Sequence, residues 1–289
     1  MNSFSSGPLL ALTGGAVAIG LSPIFVRLAD VGETSAAFWR LALSLPLLAV
    51  LAQRGSGLRV PNGQLRLWLL AGLFFALDLA VWHQSIRLTS VANATLLANL
   101  APIFVVLFGW WLFGERVKAR FLIGLVVALA GCVVLMSRSG AGVPASLAGD
   151  ALGVLTAVFY AGYILAVTRA RRHSGVIGLM FWTTAISAFL LLPLALWVDG
   201  AQFWPQSLRG WLLLLGLAWS SQVAGQGLIA YAMAYLPAAF SSVSLLIQPV
   251  AAALFAVCLL GESLGPLQIT AAITVLAGIL WCRLSMLRS

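Results

Sequence analysis

The chain has 289 residues, 62% of them apolar and only 8% charged, with a mean hydropathy of +1.06 and a net charge of +9. A water-soluble domain carries about 25% charged residues, so this composition excludes a soluble globular protein, a secreted disulfide scaffold, a disordered chain and a nucleic-acid binder. The basic excess lies in short loops between long apolar runs, which points to a membrane rather than to nucleic acid.

A helix that crosses a bilayer needs about 20 apolar residues. Ten such runs follow one another, at 9–28, 34–53, 66–86, 91–113, 118–137, 149–168, 176–197, 210–231, 238–260 and 266–286. None alternates at the strand period of a membrane β-barrel, so the prediction is an all-α membrane protein of ten transmembrane helices. The first run is not expected to be a cleaved signal peptide. No Lys or Arg precedes it, and Gly14, Gly15, Gly20 and Pro23 interrupt it. Cys132, Cys258 and Cys282 fall inside runs and are expected to be packing residues rather than disulfide partners.

With ten alternating helices, Arg54, Arg59, Arg66, Arg116, Lys118, Arg120, Arg169, Arg171, Arg172, Arg283 and Arg288 share one side of the membrane. The other side collects Asp30, Glu33, Asp150, Asp199 and Glu262. Basic loops stay in the cytoplasm, so both termini are predicted to be cytoplasmic, in a plasma membrane of the bacterial inner-membrane type. Trp68, Trp110, Trp111, Trp197, Trp211 and Trp281 lie near run ends, where interfacial belts form.

The sequence repeats itself. Shifted by 147 positions, SVANATLLANLAPIFVVLFGWWLFGERVKARFLIGLVVALAG (90–131) lies over PAAFSSVSLLIQPVAAALFAVCLLGESLGPLQITAAITVLAG (237–278). The matches that count are Pro102 with Pro249, Gly114-Glu115 with Gly261-Glu262, and Gly131 with Gly278. Each half then holds five helices, residues 1–140 and 145–289. Because five is odd, the halves face opposite ways across the bilayer. Inverted repeats place a binding site near the midplane between them.

The Ala-rich helix entry, the mid-run Pro, the apolar stretch ending in Gly-Glu and the following Leu-Ala-Gly, all present twice, resemble the EamA domain. Two such domains make a member of the drug/metabolite transporter superfamily. The likeness is strongest in YAMAYLPAAFSSVSLLIQPVAAALFAVCLLGE, from position 231 on. It implies ten helices in inverted five-helix repeats and export of small metabolites, amino acids first among them. A drug or quaternary-ammonium exporter of the same superfamily is the alternative. The first half departs from the pattern at Trp82-His83-Gln84-Ser85-Ile86, where the family often has a Tyr-Ala-Leu segment.

Polar side chains inside a bilayer are costly and usually face the bundle interior. At helical spacing, Asp78, Trp82 and Ser85 share a face of the third run. Thr156, Tyr160, Tyr163 and Val167 share one of the sixth, Trp219, Gln222 and Gln226 one of the eighth, and Ser241, Ser244 and Gln248 one of the ninth. Asn93 and Asn99 add amides to the fourth. The substrate wall is therefore expected to hold Asp78, Trp82, His83, Asn99, Tyr160, Tyr163, Trp219, Gln222, Gln226, Ser244 and Gln248. The competing explanation for any one of them is interhelical hydrogen bonding. Asp78, about 18 Å from the cytoplasmic end of its run by helical rise, is the only acid deep in an apolar run. It is a candidate for proton coupling or for binding a substrate amine. Arg40, roughly one and a half turns into the second run, is expected to snorkel outward or to pair with Asp30 or Glu33. Glu115 and Glu262 are expected to cap the helices that follow them. Gly20, Pro23, Pro102 and Pro249 are candidate bend points.

With no base expected at a helix midpoint, phosphorylated substrates are not expected in this interior. Amides, hydroxyls and aromatic faces suit neutral, zwitterionic or aromatic molecules. Neither a metal motif nor a nucleotide-binding loop nor a paired-acid centre occurs in the sequence. No enzyme activity, catalytic residue, cofactor or metal is expected, and a channel or a membrane-embedded enzyme is the weaker alternative. The expected partners are a small-molecule substrate and membrane lipid, with the carrier working as a monomer.

Overall fold

The computed structural model describes residues 6–54, 57–61, 63–136, 146–261 and 263–287. Among them are ten helical spans long and apolar enough to cross a membrane: Ser6–Leu28, Glu33–Arg54, Leu65–Leu88, Asn93–Phe113, Ala119–Met136, Leu147–Arg171, Val176–Gln202, Leu208–Ala232, Ala238–Leu260 and Pro266–Met286, here spans 1 to 10. The protein is thus an all-α, multi-pass membrane protein. Trp110, Trp111, Trp197 and Trp281 project outward, but Trp68 does not. Its ring is buried and its Nε1 donates to Ser174 Oγ at 3.1 Å, which ties span 3 to the start of span 7.

The halves interlock. Span 5 lies along span 10, span 3 against spans 6 and 7, span 2 against span 7, span 4 against span 6, and span 1 against spans 8 and 9. Lipid tails are as apolar as Leu, so hydrophobicity alone does not hold such pairs together. Close backbone approach through small residues does. A Cβ on Gly131 would stand 2.7 Å from the Val275 backbone nitrogen, and one on Gly278 would press on the Ala128 backbone nitrogen. Gly131 and Gly278 are equivalent under the 147-residue shift, and so are Ala128 and Val275. The crossing is therefore the same contact made twice about a pseudo-two-fold axis, as inverted repeats require.

The repeat shows again in spans 4 and 9. Each is two helices, Val91–Ala98 then Ala101–Phe113, and Ala238–Ser244 then Ile247–Leu260. Pro102 and Pro249 sit in the first turn of the second helix of each pair, where the missing N–H has no intrahelical partner to lose. They therefore start helices rather than kink them. Pro23 does the same for Ser22–Leu28. Gly114 and Gly261 both end their helices in the left-handed region, with φ of 66° and 70°. Gly20 ends the first helix of span 1, but it is also a contact point: an added Cβ would lie 2.7 Å from Ala251 Cβ and 3.2 Å from the Gln248 carbonyl. Span 2 breaks between Ala42 and Leu45. Part of span 8, Ala218–Gln226, is π-helical.

Both ends of the bundle are tied across the halves. On the face that carries most basic residues, Glu115 Oε1 lies 3.5 Å from Arg169 Nη2 and 4.0 Å from Arg172 Nη2, while the Arg169 guanidinium lies 3.4 Å from the centre of the Phe113 ring. The expected capping role of Glu115 is corrected by this geometry, because its carboxylate turns to span 6 and not to the start of span 5. Glu262 lies outside the described residues. On the opposite face Asp199 Oδ2 accepts from both the backbone nitrogen of Ser35 (2.6 Å) and its Oγ (2.7 Å), and Trp39 Nε1 donates to the Phe203 carbonyl at 2.8 Å. Ser207 Oγ donates to Asp30 there at 2.7 Å, which holds the Asp30 carboxyl below the usual carboxylate range.

Candidate functional site

Near the middle of the bundle, spans 2, 3 and 6 bring a base, an acid and two phenols together. The Arg40 guanidinium, the Asp78 carboxyl and the Tyr160 and Tyr163 hydroxyls lie within electrostatic reach of one another. Tyr163 stacks on Phe75 at 4.7 Å and on Tyr160 at 6.1 Å between ring centroids. The Arg40 guanidinium carbon lies 6.0 Å from the centre of the Phe75 ring. The second half of the chain completes the wall. Tyr160 lies near the side-chain amide of Gln248 on span 9, but the Gln248 Nε2 makes no hydrogen bond to it. Tyr163 Oη makes a long bond to Gln226 Oε1 on span 8, at 3.4 Å. One turn from Gln226, Gln222 Nε2 donates to Thr184 Oγ1 at 3.0 Å.

Arg40, Asp78 and Tyr160 are half-buried and keep accessible surface. Buried polar atoms are nearly always hydrogen-bonded, but Arg40 Nε, Gln222 Oε1 and Gln248 Nε2 have no partner in the protein. Bonding capacity held open beside accessible polar groups is what a polar ligand requires.

Sequence reasoning misses Arg40 as an interior residue. Outward snorkelling and pairing with Asp30 or Glu33 are both corrected: Asp30 is bonded to Ser207, and Arg40 turns inward to Phe75 and Asp78. The sequence held one signal. Three and four residues to either side of Arg40 stand Ala36, Ala37, Leu43 and Ser44, so the helix offers no acid at pairing distance. The interior therefore holds a base, contrary to the expectation that set phosphorylated substrates aside. Asp78 lies within electrostatic reach of that base.

The remaining expected wall residues divide. Asp78, Tyr160, Tyr163, Gln222, Gln226 and Gln248 come together as described. Trp219 does not join them and lies half exposed on the outer side of span 8, with Leu212 and Leu228. The cause is the winding. A π-helix takes roughly four and a half residues per turn, so Gln222 and Gln226 stay on one face while Trp219, three residues before Gln222, rotates off it. Ser244 Oγ donates to its own helix at the Phe240 carbonyl, 2.9 Å away, and borders a separate cleft of about 160 Å³ between spans 1, 9 and 10. Asn99 Nδ2 likewise turns back to the Thr95 carbonyl at 3.0 Å, in the break of span 4. His83 is buried with Nδ1 2.6 Å from the Leu79 carbonyl, and its ring meets Trp82 edge-on at 4.9 Å.

The fold and sequence have relatives. The model of the EamA-like transporter family matches residues 5–137 and 147–284. The pseudopaline exporter CntI of Pseudomonas aeruginosa is 30% identical over 183 residues, which cover 62% of this chain and 61% of that protein's length. The aromatic amino acid exporter YddG of Ancylobacter novellus is 30% identical over 52% of this chain and 54% of its own. An uncharacterized transporter of Archaeoglobus fulgidus is 27% identical over 93% and 94% of the two chains. A crystal structure 21% identical in sequence superposes with a TM-score of 0.78 over 98% of this chain and 99% of that one, a likeness of fold.

Proposed function

We propose, from the premise that this chain belongs to the EamA-like transporter family of the drug/metabolite transporter superfamily, that it exports amino acids or similar small polar metabolites by alternating access, with the space around Asp78, Tyr160, Tyr163, Gln222, Gln226 and Gln248 as its substrate site. The observation that carries this reading is that wall, supplied by both halves of one chain, with aromatic faces beside amides whose bonding capacity is unfilled. Aromatic rings offer apolar surface, and the amides orient a polar end. Since both halves belong to one polypeptide, the working unit is a monomer. The relatives named as exporters of pseudopaline and of aromatic amino acids support export as the direction. A permanently cationic drug fits less well, because it would meet the positive charge of Arg40.

Purified protein in liposomes, loaded in turn with single L-amino acids, is the test. Saturable movement with counterflow is expected for at least one of them. A carrier shows both properties, a pore neither, and an enzyme would change its substrate. Saturable movement confined to phosphorylated sugars would sink the reading.

The orientation proposed here has both termini in the cytoplasm of a bacterial inner membrane, on the strength of the basic loops. Reporter fusions at Arg54 and Arg116 should report the cytoplasm, and fusions at Asp199 and Glu262 the outside. Glu115 and Glu262 loops on the same side would contradict the inverted repeat.

A further inference from the structure

We propose that the interior selects substrates bearing a carboxylate beside an ammonium, and that Arg40 is the residue that holds the carboxylate while Asp78 faces the ammonium. This rests on the reading of the space as the substrate site and adds to it a charge requirement and a specificity-determining residue.

Arg40 and Asp78 are the two ionisable groups of opposite sign in that space, within electrostatic reach of one another. Neither makes an ion pair among the described residues, and Arg40 Nε is buried without a partner. A guanidinium offers five N–H donors in a planar fork. The surrounding rings fill few of them: Phe75 presents a face at 6.0 Å, and the two phenols lie nearby. An enclosed charge with open donors is costly in a bilayer and is retained where a partner comes to it. The partner that fits a guanidinium fork is a planar oxyanion, bound through two parallel bonds.

Charge balance selects among oxyanions. When Asp78 is ionised opposite a bound ammonium it balances Arg40, and a zwitterion then leaves the space neutral. A phosphate dianion would leave two net negative charges in a medium of low dielectric, and an amine without a carboxylate would leave one net positive charge. Tyr160, half-buried and stacked on Tyr163, lies beside the charged pair and can receive an apolar side chain. The chemical class is therefore a free α-amino acid or a metabolite that keeps its amino and carboxylate groups together, and not its amide, ester or decarboxylated amine.

The test is counterflow in liposomes, with each L-amino acid compared against its carboxamide and its decarboxylated amine. The wild type should carry zwitterions, and the two derivatives should compete roughly ten- to hundredfold less well, the range that goes with losing a charge-assisted pair. Arg40→Gln should remove that preference. Arg40→Lys, which keeps the charge without the fork, should recover only part of it. Because Arg40→Gln leaves Asp78 alone in the interior and can lower folded yield, the double variant Arg40→Gln/Asp78→Asn is measured beside it. It should restore folded protein without restoring the preference. Equal competition by amides and amines in the wild type overturns the charge requirement while leaving amino-acid transport intact. A preference that survives in folded Arg40→Gln or in the double variant overturns the role of Arg40. A wild type that moves no zwitterion at all removes the substrate-site reading and this proposal with it.

Discussion

Gly278→Val should leave little folded protein. Even the Cβ of alanine at that position would press on the backbone nitrogen of Ala128 and stand 2.8 Å from its Cα, and backbone atoms cannot rotate away as a side chain can. Spans 5 and 10 would have to separate. The same two helices meet at Gly131 against Val275 and at Gly124 against Cys282, so a separation at one point opens the others. Overpacking costs about 1–3 kcal/mol in ordinary cores. The cost here should reach the upper part of that range, because the crossing depends on close approach instead of on hydrophobic burial. Size-exclusion profiles and thermal unfolding in detergent read it directly. Gly227→Ala is the control, since a Cβ there meets nothing within 4 Å. If Gly278→Val unfolds at the wild-type temperature, the helices do not cross at this residue.

Replacement of Tyr163 should separate structure from transport. Its ring is 1% exposed and stacked on Phe75, so Tyr163→Ala empties a large buried volume. Truncating a buried aromatic to Ala costs roughly 3–5 kcal/mol, and the folded yield of that variant should collapse. The cost of about 1 kcal/mol that follows from counting one interhelical hydrogen bond omits the loss of this buried ring. Tyr163→Phe keeps the stack and loses only the hydroxyl with its 3.4 Å bond to Gln226. It should fold normally and carry less substrate per folded molecule. Flux in Tyr163→Phe equal to the wild type would show that this hydroxyl only joins helices.

Hydropathy makes the ten spans legible, because a bilayer imposes the same length on every crossing and few polar residues intrude. The duplication is legible because glycines and prolines at fixed positions are rarer than apolar matches. What escapes is rotation about helix axes. Trp219 follows Gln222 and Gln226 only in α-helical phase, and nothing in AWSSQVAGQ announces the π winding that turns it outward. Ser244 lies on a span that lines the interior and Asn99 on one packed against span 6, yet Ser244 bonds back to its own helix and Asn99 to Thr95 and Met136. Sequence cannot tell a side chain bonded to its own backbone from one held open for a ligand. Distance along the chain sets Arg40 near Asp30 and Glu33, whereas the break between Ala42 and Leu45 and the contact of span 2 with span 7 decide which way it faces. Pro46, the second residue of the helix after that break, is the available sign of it.

The doubled contact of Gly131 with Val275 and Gly278 with Ala128 has a further consequence. Rotation about a two-fold axis leaves points on the axis where they are. If the inward-open and outward-open forms of a duplicated carrier arise when its halves exchange shapes, the surroundings of this crossing are the same in both. Spans 5 and 10 then form a fulcrum, and the remaining helices swing about it as a balance beam swings about its knife-edge. A fulcrum has to be stiff, and two helices with their backbones in contact at three glycines have little freedom to slide.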